Sequence, residues 1–115
     1  MKHFKRSEFR CPCCGIEHMV DSFLERLDNA RDIAQVAFKI NSGYRCPIHN
    51  QKVGGSATSS HLMGIASDIA ATSSAPRFKI VKALIASGIS RIGIAKTFIH
   101  ADDDASKDQG VIWLY

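Results

Sequence analysis

No apolar run in this sequence approaches the roughly 20 residues needed to cross a bilayer, so no membrane-spanning helix is expected. The first ten residues, MKHFKRSEFR, are basic, yet no apolar stretch follows them. That excludes a Sec-type signal peptide. Synthesis in the cytoplasm is therefore expected, with any action at a cell wall following release by another route. There is no internal repeat, no low-complexity linker and no dense basic block. Aromatic residues make up only 8%, and several of the phenylalanines fall at core spacing rather than along a basic stripe. No nucleic-acid-binding signature is present, so nucleic acid is not an expected partner. The four cysteines do not form two C-x-x-C pairs, so the usual four-thiolate zinc framework is incomplete.

What is there describes one folded domain over residues 1–115. A chain of this length holds one modest core. Its 45% hydrophobic and 23% charged residues suit a soluble globular protein, expected to be a monomer. The net charge of +4 favours solubility and mild attraction to anionic matter such as a bacterial cell wall.

Residues 1–18 form a loop-rich leading segment containing Cys11, Cys13 and Cys14. Residues 21–36 have a helical period: Phe23, Leu27, Ala30 and Ala34 share one face, and Asp21 is placed as N-cap. Phe38–Asn41 alternates as a strand. CPIHNQKVGGSATSS, with Pro47, its glycines and its hydroxyl residues, is expected to be a long loop. ASDIAA is a second strand. Residues 76–87 form a second helix, with Pro76 in its first turn, a stripe of Phe78, Val81, Leu84 and Ile85, and Gly88 at its end. SRIGIA, TFIHAD and VIWLY are three closing strands. The expected fold class is α+β, a small mostly antiparallel sheet backed by helices.

Two of the five histidines have unusual contexts. His61 stands in SSHLMGIASD, seven residues before Asp68, and His100 stands inside the apolar strand FIHAD. A buried imidazole needs a partner. A catalytic zinc takes three protein ligands and keeps one position open. Asp68 offers a carboxylate from a strand, and Gly64 lets the chain fold back so that His61 reaches the same point. His100 would complete the set from another strand.

SGYRCPIHN, VGG, SSHLMGIASD, RIGI, FIHADDD and the terminal WLY resemble the ordered motifs of the D-Ala-D-Ala metallopeptidase family. The nearest likeness is to the short peptidase domain of many phage endolysins and prophage proteins. The resemblance runs from SEFRCPCCG to the C-terminus. It implies a small antiparallel sheet backed by helices, with one zinc ion on the sheet face, as in the Hedgehog-like scaffold. It also implies hydrolysis of peptide bonds in peptidoglycan stem peptides, by a carboxypeptidase or an endopeptidase.

His61, Asp68 and His100 match the family's zinc ligands. Arg45 matches an arginine near the substrate, where a guanidinium would polarise the scissile carbonyl and steady the oxyanion. Ser59 matches a serine lining the substrate pocket; the alternative is a loop hydroxyl bonded to backbone. Larger relatives place an acidic residue three before the last zinc histidine, but here that residue is Thr97. Strand alternation puts Asp102 on the same face as His100 and makes it the candidate general base. The alternative is that Asp102 orients His100. A non-catalytic zinc-containing module on the same scaffold is the competing function. For Cys11, Cys13, Cys14 and Cys46, a disulfide to Cys46, a metal-holding thiol cluster and unbonded buried thiols all remain open.

Overall fold

Ile69, Ile92 and Ile99 occupy alternate strand positions, and period-2 geometry turns all three to one side of a sheet, where they are buried. The computed structural model describes residues 1–115. Its five strands are β1 (Ile40–Ser42), β2 (Ala66–Ala70), β3 (Arg91–Ile94), β4 (Phe98–Asp102) and β5 (Val111–Leu114). They lie in the order β1-β2-β4-β3-β5, and every pairing is antiparallel except β3 with β5. This is the expected small α+β architecture. No helix is long and apolar enough to cross a membrane.

Helices α1 (Asp21–Ala34) and α3 (Ser74–Ala86) pack against each other, and their buried sides join the isoleucines in one core. Phe23, Leu27, Ala30 and Ala34 are buried as their spacing requires, together with Leu24. Burying each large side chain of this set contributes about 1.5–3 kcal/mol. Phe4 and Phe9 from the leading segment also enter the core, and a short 3₁₀ turn at Arg6–Phe9 carries Phe9 inward.

Several local expectations are corrected. Asp21 is the first helical residue rather than the cap; Val20 precedes it in extended conformation. The first strand begins at Ile40 rather than Phe38, because Phe38 is drawn into the core. The long loop contains a short helix, α2 (Pro47–Lys52), with Pro47 in its first turn and the Cys46 sulfur accepting from the His49 N–H at 3.4 Å. On α3 the buried face is Ile80, Ala83 and Leu84, whereas Phe78 and Ile85 are exposed. Its sequence is apolar on more than one side, so periodicity alone does not choose the face.

The opposite side of the sheet is polar. Register places Ser42, Asp68, His100, Gly93 and Trp113 in one row across the five strands. Gly93 is required there: a Cβ would lie 2.5 Å from Trp113 Nε1 and 2.7 Å from Tyr115 Cε2. Its absence lets the indole lie across the sheet, 5.5 Å from the His100 ring. Gly93→Ala is expected to destabilise the fold by about 1–3 kcal/mol through overpacking. It should also shift the emission of Trp113, the only tryptophan. Urea unfolding followed by fluorescence checks both, and an unaltered spectrum with unaltered stability would refute this packing.

Candidate metal centre

His61 reaches the sheet from a 3₁₀ turn, Ser60–Met63. The Ser59 hydroxyl caps that turn by accepting from the His61 N–H at 3.3 Å. Gly64 ends it in the left-handed region at φ +70°, and any side chain there would collide with the His18 carbonyl, 1.9 Å from a Cβ. The chain therefore reverses sharply between His61 and β2, as Gly64 led one to expect. The turn is also held by the Arg45 N–H, which donates to the His61 carbonyl at 3.2 Å. Asp68 and His100 are direct cross-strand partners on β2 and β4.

These elements bring His61, Asp68 and His100 together, all three buried, with candidate ligand atoms within 4.8 Å of one another. The Asp68 Oδ1 atom lies 3.4 Å from His61 Nε2 and 3.0 Å from His100 Nδ1. The far nitrogen of each ring is engaged. His61 Nδ1 lies 2.8 Å from the Gly43 carbonyl, and His100 Nε2 lies 2.7 Å from Asp102 Oδ2. A carbonyl only accepts, so His61 Nδ1 carries the hydrogen; His100 lies between two carboxylates, and its shorter contact, to Asp102, keeps the hydrogen on Nε2 when the ring is neutral. In the neutral rings the lone pairs of His61 Nε2 and His100 Nδ1 then both face the Asp68 carboxylate. With both rings neutral, three electron-rich atoms are directed at one point, an arrangement that suits a cation between them.

The donor set fits zinc. Bonds of about 2.0–2.1 Å around a tetrahedral ion separate neighbouring donors by about 3.3 Å, close to the distances at Asp68. Two imidazoles and one carboxylate leave a position free, as in catalytic sites. In the metal-free protein protons take the place of the cation, and the rings donate to Asp68. Burial pushes the Asp68 carboxyl up, but hydrogen bonds to His100 and His61 outweigh it and hold the group far below the usual carboxylate range. Burial lowers His100, yet its bonds to Asp102 and Asp68 overcome this and raise it above the usual imidazole value of 6.5.

Arg45 borders the same cleft, which has a volume of about 390 Å³. It donates to Asp68 Oδ2 at 3.3 Å, to Ser42 Oγ at 3.2 Å and to Asn50 Oδ1 at 3.4 Å. Two of the five guanidinium N–H groups are left over. Ser59 lines the cleft as well, so the backbone-capping role and the pocket position coincide in one residue.

Asp102 does not stand as an open base. It is almost wholly buried and both oxygens are engaged: Oδ2 by His100, Oδ1 by Arg91 Nε at 2.8 Å and by the Asp104 N–H at 3.0 Å. This is the orienting arrangement, because a carboxylate fixed on the far nitrogen of His100 directs the near one. Burial pushes the Asp102 carboxyl up, while His100, the Asp104 N–H and Arg91 bring it down and keep it ionised.

Sequence reasoning missed Arg91, Trp113 and Tyr115, all of which line the cleft. Arg91 is the cross-strand partner of Asp102 and also lies over the Trp113 ring, 4.9 Å from its centroid. Alternation was the available signal, since Arg91 and Gly93 share a strand face, as do Trp113 and Tyr115. The Gly43 carbonyl left no sequence signal at all.

A family model described as Peptidase M15 matches residues 2–102. The chain belongs to the peptidase M15 family. This is the D-Ala-D-Ala metallopeptidase family that the motifs resemble, and M15 peptidases are zinc-dependent. A comparison with curated proteins finds no match. The M15 match spans His61, Asp68, His100, Arg45, Ser59 and Asp102 and ends before Trp113 and Tyr115.

Two outcomes are expected. Asp102→Asn should weaken zinc binding by about 10–100-fold, measured by chelator competition; unchanged affinity would remove Asp102 from the orienting role. The second concerns pH. A raised His100 pKa contributes stability to the metal-free protein that is complete below 6.5 and lost as pH rises through the raised value. Zinc requires the unprotonated ring. The increase in Tm on adding zinc should therefore grow from pH 6 to pH 8, and a flat or falling increment would contradict it.

Proposed function

We propose that this M15 peptidase hydrolyses peptide bonds in the stem peptides of bacterial peptidoglycan, as a D,D-carboxypeptidase or endopeptidase in phage-type lysis or wall remodelling. The observation that carries the proposal is the buried convergence of His61 Nε2, Asp68 Oδ1 and His100 Nδ1 beside Arg45 in one cleft. Zinc held by these three residues supplies Lewis-acid polarisation of a carbonyl and activation of water.

The chain's own groups do the rest. Arg45, with two N–H donors to spare, binds the scissile carbonyl oxygen and steadies the charge that develops on it. Ser59 accepts from backbone through its oxygen, which leaves its O–H to donate to the peptide. Phe98, Trp113 and Tyr115 give the cleft an aromatic wall against which a peptide chain lies. Asp102, braced by Arg91, keeps His100 in the tautomer that presents Nδ1. The net charge of +4 draws the protein to an anionic wall polymer.

A second reading has one observation in its favour. Thr97 stands where larger relatives carry an acid, and the two carboxylates lining the cleft, Asp68 and Asp102, both have their oxygens engaged. A zinc-containing binding module on the same scaffold would have no need of a proton-transferring carboxylate.

Release of free amines from purified peptidoglycan separates the two. The zinc-loaded wild type should release them, and Asp68→Asn should not. Arg45→Lys should keep its zinc and lose about 10²–10³ in kcat/KM, the usual loss on removing an oxyanion donor. A zinc-loaded wild type that binds wall peptides and releases no amine would establish the binding module instead.

A further inference from the structure

The four cysteines lie outside the histidine site and have no part in the function proposed above. The sulfurs of Cys11, Cys14 and Cys46 all lie within 4.8 Å of one another. Cys13 is exposed and lies beside Cys14 in the sequence, so three sulfurs gather at one place. No disulfide joins any of them.

The backbone around them forms a knuckle. Cys11 and Cys14 are the ends of a C-x-x-C element, and Gly15 follows in the left-handed region at φ +71°. The Gly15 N–H donates to the Cys11 carbonyl at 2.8 Å, and the Cys11 N–H donates to the Ile16 carbonyl at 2.9 Å. This tight turn presents both thiols on one side, facing Cys46. Backbone N–H groups are aimed at the sulfurs: Cys46 N–H at Cys11 Sγ (3.5 Å) and His49 N–H at Cys46 Sγ (3.4 Å).

Such donors stabilise negative sulfur. A disulfide would join two of the sulfurs at about 2.0 Å and leave the third with no reason to gather. Thiolates bound to one tetrahedral ion at about 2.3 Å stand about 3.8 Å apart, in keeping with the observed cluster.

We propose that Cys11, Cys14 and Cys46 form a second and structural site for a thiophilic divalent ion such as zinc, with its fourth position on the solvent-facing side. Cys11 is buried and Cys13 and Cys14 are exposed, so the site opens to solvent on one side for loading. Its consequence follows from chain order. Cys46 is joined to Arg45, two residues beyond Gly43, whose carbonyl holds His61. The Tyr44 N–H donates to the Phe9 carbonyl at 2.9 Å. An ion here would staple the leading segment to the loop that carries Arg45 and the His61 anchor.

The test uses the full chain purified under reducing conditions and loaded with zinc or cobalt. Elemental analysis should give two zinc ions per chain in the wild type. One should be lost in His61→Ala and the other in Cys11→Ser. Because Cys11 is buried and its variant is at risk of misfolding, the exposed Cys14→Ser should show the same loss from a folded protein. The cobalt form should carry thiolate-to-metal charge-transfer absorption that survives His61→Ala and disappears in the cysteine variants. Zinc that is retained in full in Cys11→Ser and Cys14→Ser, no charge-transfer band, or two thiols missing on titration of unreduced, denatured protein would each overturn the proposal. None of these results bears on the histidine site, whose metal is followed separately through His61→Ala.

Discussion

When both rings are neutral the Asp68 carboxylate faces two imidazole lone pairs, and this confrontation organises the polar half of the molecule. It arises because each ring is turned by a partner on its far side, the Gly43 carbonyl for His61 and the Asp102 carboxylate for His100. Without those partners each ring would donate to Asp68, and the trio would satisfy itself as ordinary hydrogen bonds. With them, the trio becomes a candidate for completion by a cation. Arg45 on the outer oxygen of Asp68 and Arg91 on Asp102 fix both carboxylates, while the histidines hold Asp68 in its ionised form and His100 with Arg91 does the same for Asp102.

The sheet makes this arrangement rigid. One face is closed by α1 and α3 over a core of isoleucine, leucine and phenylalanine, and a one-residue slip would exchange that face for the polar one. Asp68 and His100 are held as direct cross-strand neighbours, so their separation is a property of the ladder. His61 is the ligand that comes from outside the sheet, and it is held more elaborately, by the Ser59 cap, the Gly64 reversal and the Arg45–His61 backbone bond. The loop from Gly43 to Cys46 serves this ligand, the guanidinium and the thiol cluster together, so displacement of that short segment would be felt at all three.

Much of the architecture was legible from local pattern. The α1 face, the three closing strands and the turn glycine Gly64 follow from periodicity and backbone sterics that act within a few residues. The failures share a cause. Helix α2 forms in a stretch rich in turn residues because Pro47 and the Cys46 sulfur supply its start. Helix α3 is apolar on several sides, so its buried face depends on where α1 lies. Asp102 was legible as a carboxylate beside His100 but not as one already engaged by Arg91, a residue that only strand pairing brings near.

The sequence by itself determined the kind of chemistry: two histidines and an aspartate in family-typical motifs, an arginine upstream, and a chain with one core and no membrane span. It could do so because ligand identity and turn chemistry are properties of residue type and short spacing. The tertiary structure decided which nitrogen of each histidine faces the site, what Asp102 is turned towards, and that three cysteines from two distant segments share one point. Those are matters of direction and of long-range register, set by the packing of the sheet against its helices.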